Sequence, residues 1–91
     1  MVKLNRIDLG TLAVDSINPD FSIDATVDFY SVVKKFGFTV KVTVFNWEIV
    51  SIEGLPTDCE ISSLCEHEIA YRCYLVQLDD FRRHLDDVSW L

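Results

Sequence analysis

The sequence predicts an α+β fold, a three-stranded antiparallel sheet (β-β-β) with one long C-terminal helix packed on one face. Three patterns predict it. Apolar residues alternate with polar ones from Phe21 to Val33, alternate again from Phe38 to Val44, and then recur every three or four residues from Leu64 to Val88. A repeat of two marks a strand with one buried face, and a repeat near 3.6 marks an amphipathic helix. Strands that come first, followed by a helix, give a helix laid on an antiparallel sheet.

In chain order, residues 2–14 carry a weaker apolar pattern and form the first strand, with Gly10 marking an irregularity in it. "INPD" (17–20) is a turn. In the second strand Phe21, Ile23, Ala25, Val27 and Phe29 point one way, while Ser22, Asp24, Thr26 and Asp28 point to water. Gly37 in "KKFG" supplies the positive φ of a short hairpin loop, with Lys34 and Lys35 solubilising its tip. The third strand, "FTVKVTVFNWEIVSI", keeps Phe38, Val40, Val42 and Val44 on one face. Its apolar phase then moves to Trp47 and Ile49, which places a β-bulge or sharp twist near Phe45-Asn46. "EGLPTDCE" ends the sheet. Thr57 with Glu60 and Ser63 with Glu66 both have capping-box spacing; the long helix starts at Ser63, after a short turn over 57–62. The chain is thus a single domain, with a sheet over 1–56 and a capped helix and C-terminal tail over 57–91.

Along the helix Leu64, His67, Tyr71, Tyr74, Leu78, Phe81, Leu85 and Val88 keep a strict 3-4-3-4 spacing. This stripe is expected to face the sheet, with His67 at its edge. Cys65, Ile69, Cys73 and Val76 make a second apolar stripe on roughly the opposite side, which gives way to Asp79, Asp80, Arg83 and Asp87. A helix that is apolar on two sides needs cover on both. The second stripe is covered by the amino-terminal segment, a second copy of the chain or a target protein. Asp79–Arg83, Asp80–His84 and Arg82–Asp86 are spaced as ion pairs on the wet side, and Trp90, beyond the stripe, either folds back as a lid or projects as an anchor for a partner.

Composition narrows the function classes. With 49% hydrophobic residues the chain has enough apolar surface to offset its conformational entropy, so it folds. Its longest apolar run is far short of the roughly 20 residues of a membrane span, and "MVKLNRIDLG" contains no signal-peptide core. Three cysteines, an odd number, read as reduced thiols in a cytoplasmic protein. Fifteen acids against eight bases leave a net charge of −7, and residues 57–91 alone hold eight acids and three bases, or −5. Such a surface repels phosphate backbones, so direct nucleic-acid binding is not expected; a basic protein partner suits it.

"CEHEIAYRC" (65–73) looks at first like a metal site, since His67-Glu68 begins a near-copy of the zinc-protease string His-Glu-x-x-His. The second histidine would stand four residues after His67, where the chain has Tyr71. A structural zinc on Cys59, Cys65, His67 and Cys73 also fails. At about 100° per residue His67 lies about 200° around the helix from Cys65, and Cys65 and Cys73 are separated by about 12 Å of helix axis. The same separation forbids a disulfide between them. The thiols read as buried and inert, and no metal, cofactor or catalytic residue is expected.

The stretch "DFYSVVKKFGFTVKVTVFNWEIVSIEGLPTDCEISSLCEHEIAYRCY", with its hairpin ending in Trp47-Glu48-Ile49-Val50-Ser51-Ile52, then Gly54 and a capped helix, resembles small accessory proteins of tailed bacteriophages and prophages. The resemblance covers about half of the chain. It implies a phage origin, a host bacterial cytoplasm and no enzymatic activity. Phage proteins of this size and acidity are often inhibitors of a host defence or nucleic-acid-handling protein, and anti-CRISPR proteins are similar in bulk. The expected function is therefore a non-catalytic acidic protein-binding module. It would present Cys65, Ile69, Cys73 and Val76 beside Glu66, Glu68, Asp79, Asp80, Asp86 and Asp87. The alternative is a structural homo-oligomer, such as a virion or assembly component, in which Cys65-Ile69-Cys73-Val76 meet their own symmetry mates.

Overall fold

Two long strands with period-two patterning form the centre of the structure. The computed structural model describes residues 1–88, with side chains described through Arg83. Strands β1 (Val2–Leu4), β2 (Leu9–Ile17), β3 (Ile23–Ser31), β4 (Phe36–Phe45), β5 (Glu48–Glu53) and β6 (Cys59–Ile61) precede one helix, α1 (Ser63–Val88). The fold is α+β with an antiparallel sheet, but that sheet has four strands in the order β2-β3-β4-β5, not three. A separate two-stranded parallel sheet pairs β1 with β6.

The extra strand has a simple origin. The phase change after Val44 is a hairpin rather than a bulge in one long strand. Phe45 pairs with Glu48, and the two residues between them, Asn46 (φ 52°) and Trp47 (φ 68°), are both left-handed. Positive φ at both central residues is the geometry of the two-residue hairpin turn that matches strand twist. The register shift in this pair lies just upstream, between Thr43 and Val44. In the β3–β4 hairpin it is Lys35 (φ 54°), not Gly37, that turns left-handed, and Gly37 pairs with Tyr30 in the ladder.

The amino-terminal segment is likewise broken. Residues 6–8 form a 3-10 turn between β1 and β2. Asp8 holds it by accepting the Asn5 N–H at 2.8 Å and the Val32 N–H at 2.9 Å. The irregularity expected at Gly10 is present as a register shift between Leu9 and Leu12. A Cβ on Gly10 would stand 2.9 Å from the Asp28 carbonyl oxygen, closer than a side chain allows. Residues 59–61, expected within a turn, are a strand.

β3 and β4 pair in continuous register from Ile23↔Val44 to Ser31↔Phe36. Their inner face is Ile23, Ala25, Val27, Phe29, Val40, Val42 and Val44, all buried. Outer-face acids are held by hydroxyls and an amide on neighbouring residues. Asp24 accepts from Asn18, Thr43 and Ser16, Asp28 from Thr11 and Thr39, and Asp15 from Thr26.

α1 begins where the sequence places it. Ser62 is its cap: its Oγ accepts the Cys65 N–H at 3.2 Å and its carbonyl accepts the Glu66 N–H at 2.9 Å. The helix lies against β2, β5 and the 3-10 turn, with the opposite rotation to the one expected. Cys65, Ile69 and Cys73 are fully buried in the core with Ala70, whereas Leu64 is 71% and Phe81 57% exposed. The sheet itself covers the cysteine stripe. Apart from Ile69 its residues are small, and such a face lets the helix axis approach a sheet lined mostly by Val, Ile and Ala. Among the described residues past Cys73 none is buried.

Candidate functional site

The rotation of α1 leaves apolar side chains in water, and two loops gather around them. The β2–β3 loop and the β4–β5 turn lie at the same end of the sheet, because the start of β3 pairs with the end of β4. In the first loop the Phe21 N–H donates to the Asn18 carbonyl at 2.9 Å and the Asn18 N–H donates to the Ser22 carbonyl at 2.8 Å. Phe21 is left-handed (φ 70°) and 72% exposed. Three-residue hairpin loops of this kind usually put glycine at the left-handed position. Trp47 occupies the corresponding glycine-favouring position in the second loop. The chain thus places an aromatic residue at two neighbouring turn positions where the backbone favours glycine.

Both aromatics face α1. The Trp47 ring centroid lies 4.6 Å from that of Tyr74 and 6.4 Å from that of Tyr71. A cleft of about 400 Å³ opens between these elements, lined by Phe21, Phe45, Trp47 and Tyr74 over a floor of Ile23, Val44 and Ala70, with Asp20, Asn46 and Gln77 as its polar groups. A second depression of about 330 Å³ continues along the helix past Phe21, Tyr74, Leu78 and Phe81 and is bordered by Asp80. Neither is lined by a lysine or arginine among the described residues. Asp20 accepts both the Ser22 hydroxyl (2.6 Å) and the Ser22 N–H (3.0 Å) on Oδ1. The hydroxyl bond first, then the backbone bond, holds its carboxyl below the usual carboxylate value, so the group is ionised at neutral pH.

The residues expected to form the site are divided by this arrangement. Cys65, Ile69 and Cys73 belong to the core and are removed from any surface site. Val76 is 43% exposed, and Glu66 is exposed. Glu68 is half-buried and bridged by Arg6 at 3.5 Å and Arg72 at 3.3 Å, so its charge is already answered. Asp79 pairs with Arg83 at 3.1 Å as its spacing predicts. Asp80 stands at the edge of the second depression. The side chains of Asp86 and Asp87, and those of His84, Leu85, Val88 and Trp90, lie outside the described residues. Lys34 pairs with Asp58 and sits over the Phe36 ring. What sequence reasoning missed was Phe21, Phe45 and Trp47. The available signal was an aromatic in a turn, in "NPDF" and "FNWE".

All three thiols are free and buried. Burial pushes Cys65 and Cys73 up to about 11, the Asp8 carboxylate adding to the effect at Cys65; burial and then Asp58 raise Cys59. A thiol kept protonated is a poor nucleophile and a poor metal ligand. Among the described residues no three His, Cys, Asp or Glu side chains gather as a ligand set, and no helix is long and apolar enough to cross a membrane. Comparison of the chain with known families, curated proteins and solved structures finds no match.

Proposed function

We propose that this chain is a non-catalytic protein-binding module that engages a basic partner protein through the Phe21–Trp47–Tyr74 cleft and the exposed stripe of α1. The observation that carries this reading is the placement of Phe21 and Trp47. Each occupies a left-handed position that costs an L-residue free energy, and each remains about half exposed or more. Strain retained in that way concentrates at binding sites. Half-exposed aromatics over an apolar floor have the composition of a protein-interface core. The acids that border the two depressions, together with the net charge of −7, select a basic partner over an acidic one. With the resemblance to phage accessory proteins, the reading extends to an inhibitor that covers a basic site on a host defence or nucleic-acid-handling protein.

Selection from a random peptide library on the immobilised full chain tests the reading. Enriched peptides should combine basic residues with an apolar anchor, and they should lose binding to the Phe21→Gly variant. Enrichment of acidic peptides, or binding indifferent to Phe21, would reject it.

A second reading is favoured by one separate observation. The stripe Leu64, His67, Tyr71, Tyr74, Leu78, Phe81, exposed except for half-buried Leu78, has a strict heptad spacing, the period by which one helix packs along another. In a structural homo-oligomer that stripe, not the buried cysteine stripe, would form the interface. Light scattering that finds a dimer across the micromolar range, converted to monomer by Phe81→Asp, would support it. A monomer throughout would dispose of it.

A further inference from the structure

We infer that the cleft between the β2–β3 loop, the β4–β5 turn and α1 receives the guanidinium of an arginine side chain carried by the basic partner. This assignment rests on the protein-binding reading above and narrows it to one side chain. Four aromatic rings, Phe21, Phe45, Trp47 and Tyr74, line a space of about 400 Å³ whose one ionised lining group among the described residues is the Asp20 carboxylate. A planar, weakly hydrated cation stacks on indole and phenol faces and donates to a free carboxylate oxygen at the same time. No other common side chain satisfies both features. An aliphatic or aromatic guest would strip water from Asp20 and give it no partner, and an anionic guest would meet that carboxylate directly. A lysine ammonium is more strongly hydrated and cannot stack as a plane.

The geometry of the rings decides how the guest lies. Trp47 and Tyr74 are 4.6 Å apart, too close to admit a group between them, so they act as one slab. Trp47 is nevertheless 48% exposed, which leaves aromatic surface for a guanidinium to lie against. Asp20 is prepared for its role. Ser22 occupies Oδ1 with two bonds, and among the described residues no hydrogen bond is made to Oδ2. Asn46 and Gln77 add amide oxygens that accept further guanidinium protons.

The test is a titration of the full chain followed by amide and indole NMR signals, with acetyl-arginine methylamide, its uncharged citrulline isostere and the lysine analogue as probes. Trp90→Phe identifies the Trp47 indole. Arginine should shift the Trp47 indole and the Asp20, Phe21 and Tyr74 amides saturably, with a dissociation constant on the order of millimolar. Citrulline should bind at least about tenfold more weakly and lysine several-fold more weakly. Asp20→Asn keeps an acceptor for Ser22 while removing the charge, and should weaken arginine about tenfold without altering the rest of the spectrum. Equal binding of citrulline and arginine, an indifferent Asp20→Asn, or arginine shifts centred on Glu66 and Asp79 would overturn the assignment. If arginine gives no saturable shift while library peptides still bind in a Phe21-dependent way, the guanidinium receptor falls and the protein-binding reading stands. If neither binds, both fall.

Discussion

Replacing Phe21 separates strain from contact, because its two small substitutes differ in backbone freedom and in little else. The side chain is 72% exposed. Only about a quarter of an aromatic that can bury roughly 200 Å² is therefore out of water, about 50 Å², and losing it costs about 1.3 kcal/mol. Phe21→Ala and Phe21→Gly both lose that contact. Alanine keeps the left-handed penalty of about 1–2 kcal/mol. Glycine escapes it, at an unfolded-state entropy cost of about 0.5–1 kcal/mol. Phe21→Gly should therefore be more stable than Phe21→Ala by about 0.5–1 kcal/mol, or about 3–6 °C in Tm for a domain of this size. It should also lie within about 1 kcal/mol of the wild type, because relief of strain offsets most of the lost contact. Urea unfolding followed by circular dichroism measures all three proteins. The reasoning fails if alanine is as stable as glycine, since Phe21 would then carry no strain for function to explain.

The remaining predictions concern the core, the thiols and the acid-side stability. Ile69→Ala should cost about 2–5 kcal/mol in urea unfolding, whereas Leu64→Ala should stay within about 0.5 kcal/mol; the reverse order would mean that α1 is rotated as the sequence alone suggests. Native protein at pH 8 should leave Cys65 and Cys73 unreactive toward Ellman's reagent, and urea should release all three thiols; rapid reaction of the folded chain would contradict their burial. Asp24 is held below its ordinary 3.8 by Asn18, then Thr43 and Ser16. Because the fold favours its ionised form, that contribution is complete above 3.8 and is lost as pH falls through the lower folded value. Asp24→Asn should flatten the acid limb of the stability profile, and an unchanged limb would show that the hydroxyl ladder does not tune this group.

The α+β class and the β3 pattern were legible because each rests on period two or period 3.6, and the start of α1 was legible to within a residue, its cap being Ser62 rather than the Ser63–Glu66 box the spacing suggests. The fourth strand was not, because Asn46-Trp47 lacks the glycine that normally signals a two-residue turn; the strain that makes the site interesting is what hid the hairpin. The rotation of α1 was misread for a different reason. Periodicity finds both stripes, and ranking them by hydrophobic bulk selects Leu64, Tyr71, Tyr74 and Phe81 as the inner one. Sheet packing selects by fit. The inner sheet face is made of Ile23, Ala25, Val27, Phe29, Val40, Val42 and Val44, and the helix face buried with it in one core is Cys65, Ile69, Ala70 and Cys73. Bulk decides how much apolar surface a stripe offers, and size decides which stripe fits, so a helix with two apolar faces cannot be oriented from its own sequence.

The same packing choice gives the net charge a direction. On the β1–β6 side and at Glu68 in α1, bases answer acids: Lys3 with Glu60, Lys34 with Asp58, and Arg6 and Arg72 with Glu68. On the outer sheet face Asp15, Asp24 and Asp28 are each fixed by neutral donors, which keeps the charge but engages the carboxylate oxygens. At the cleft end the pattern changes. Asp20 and Asp80 border apolar depressions, and among the described residues neither is in an ion pair. A basic protein approaching this molecule is attracted by the whole field, and at that end it meets carboxylates beside exposed aromatic surface. Long-range attraction then raises the encounter rate, and the cleft supplies the desolvated contact that slows departure. Added salt should accordingly reduce the association rate of a basic peptide far more than it raises the dissociation rate, as measured by surface plasmon resonance. Equal effects on both rates would place the binding energy in surface charge alone and leave Phe21 and Trp47 without a role.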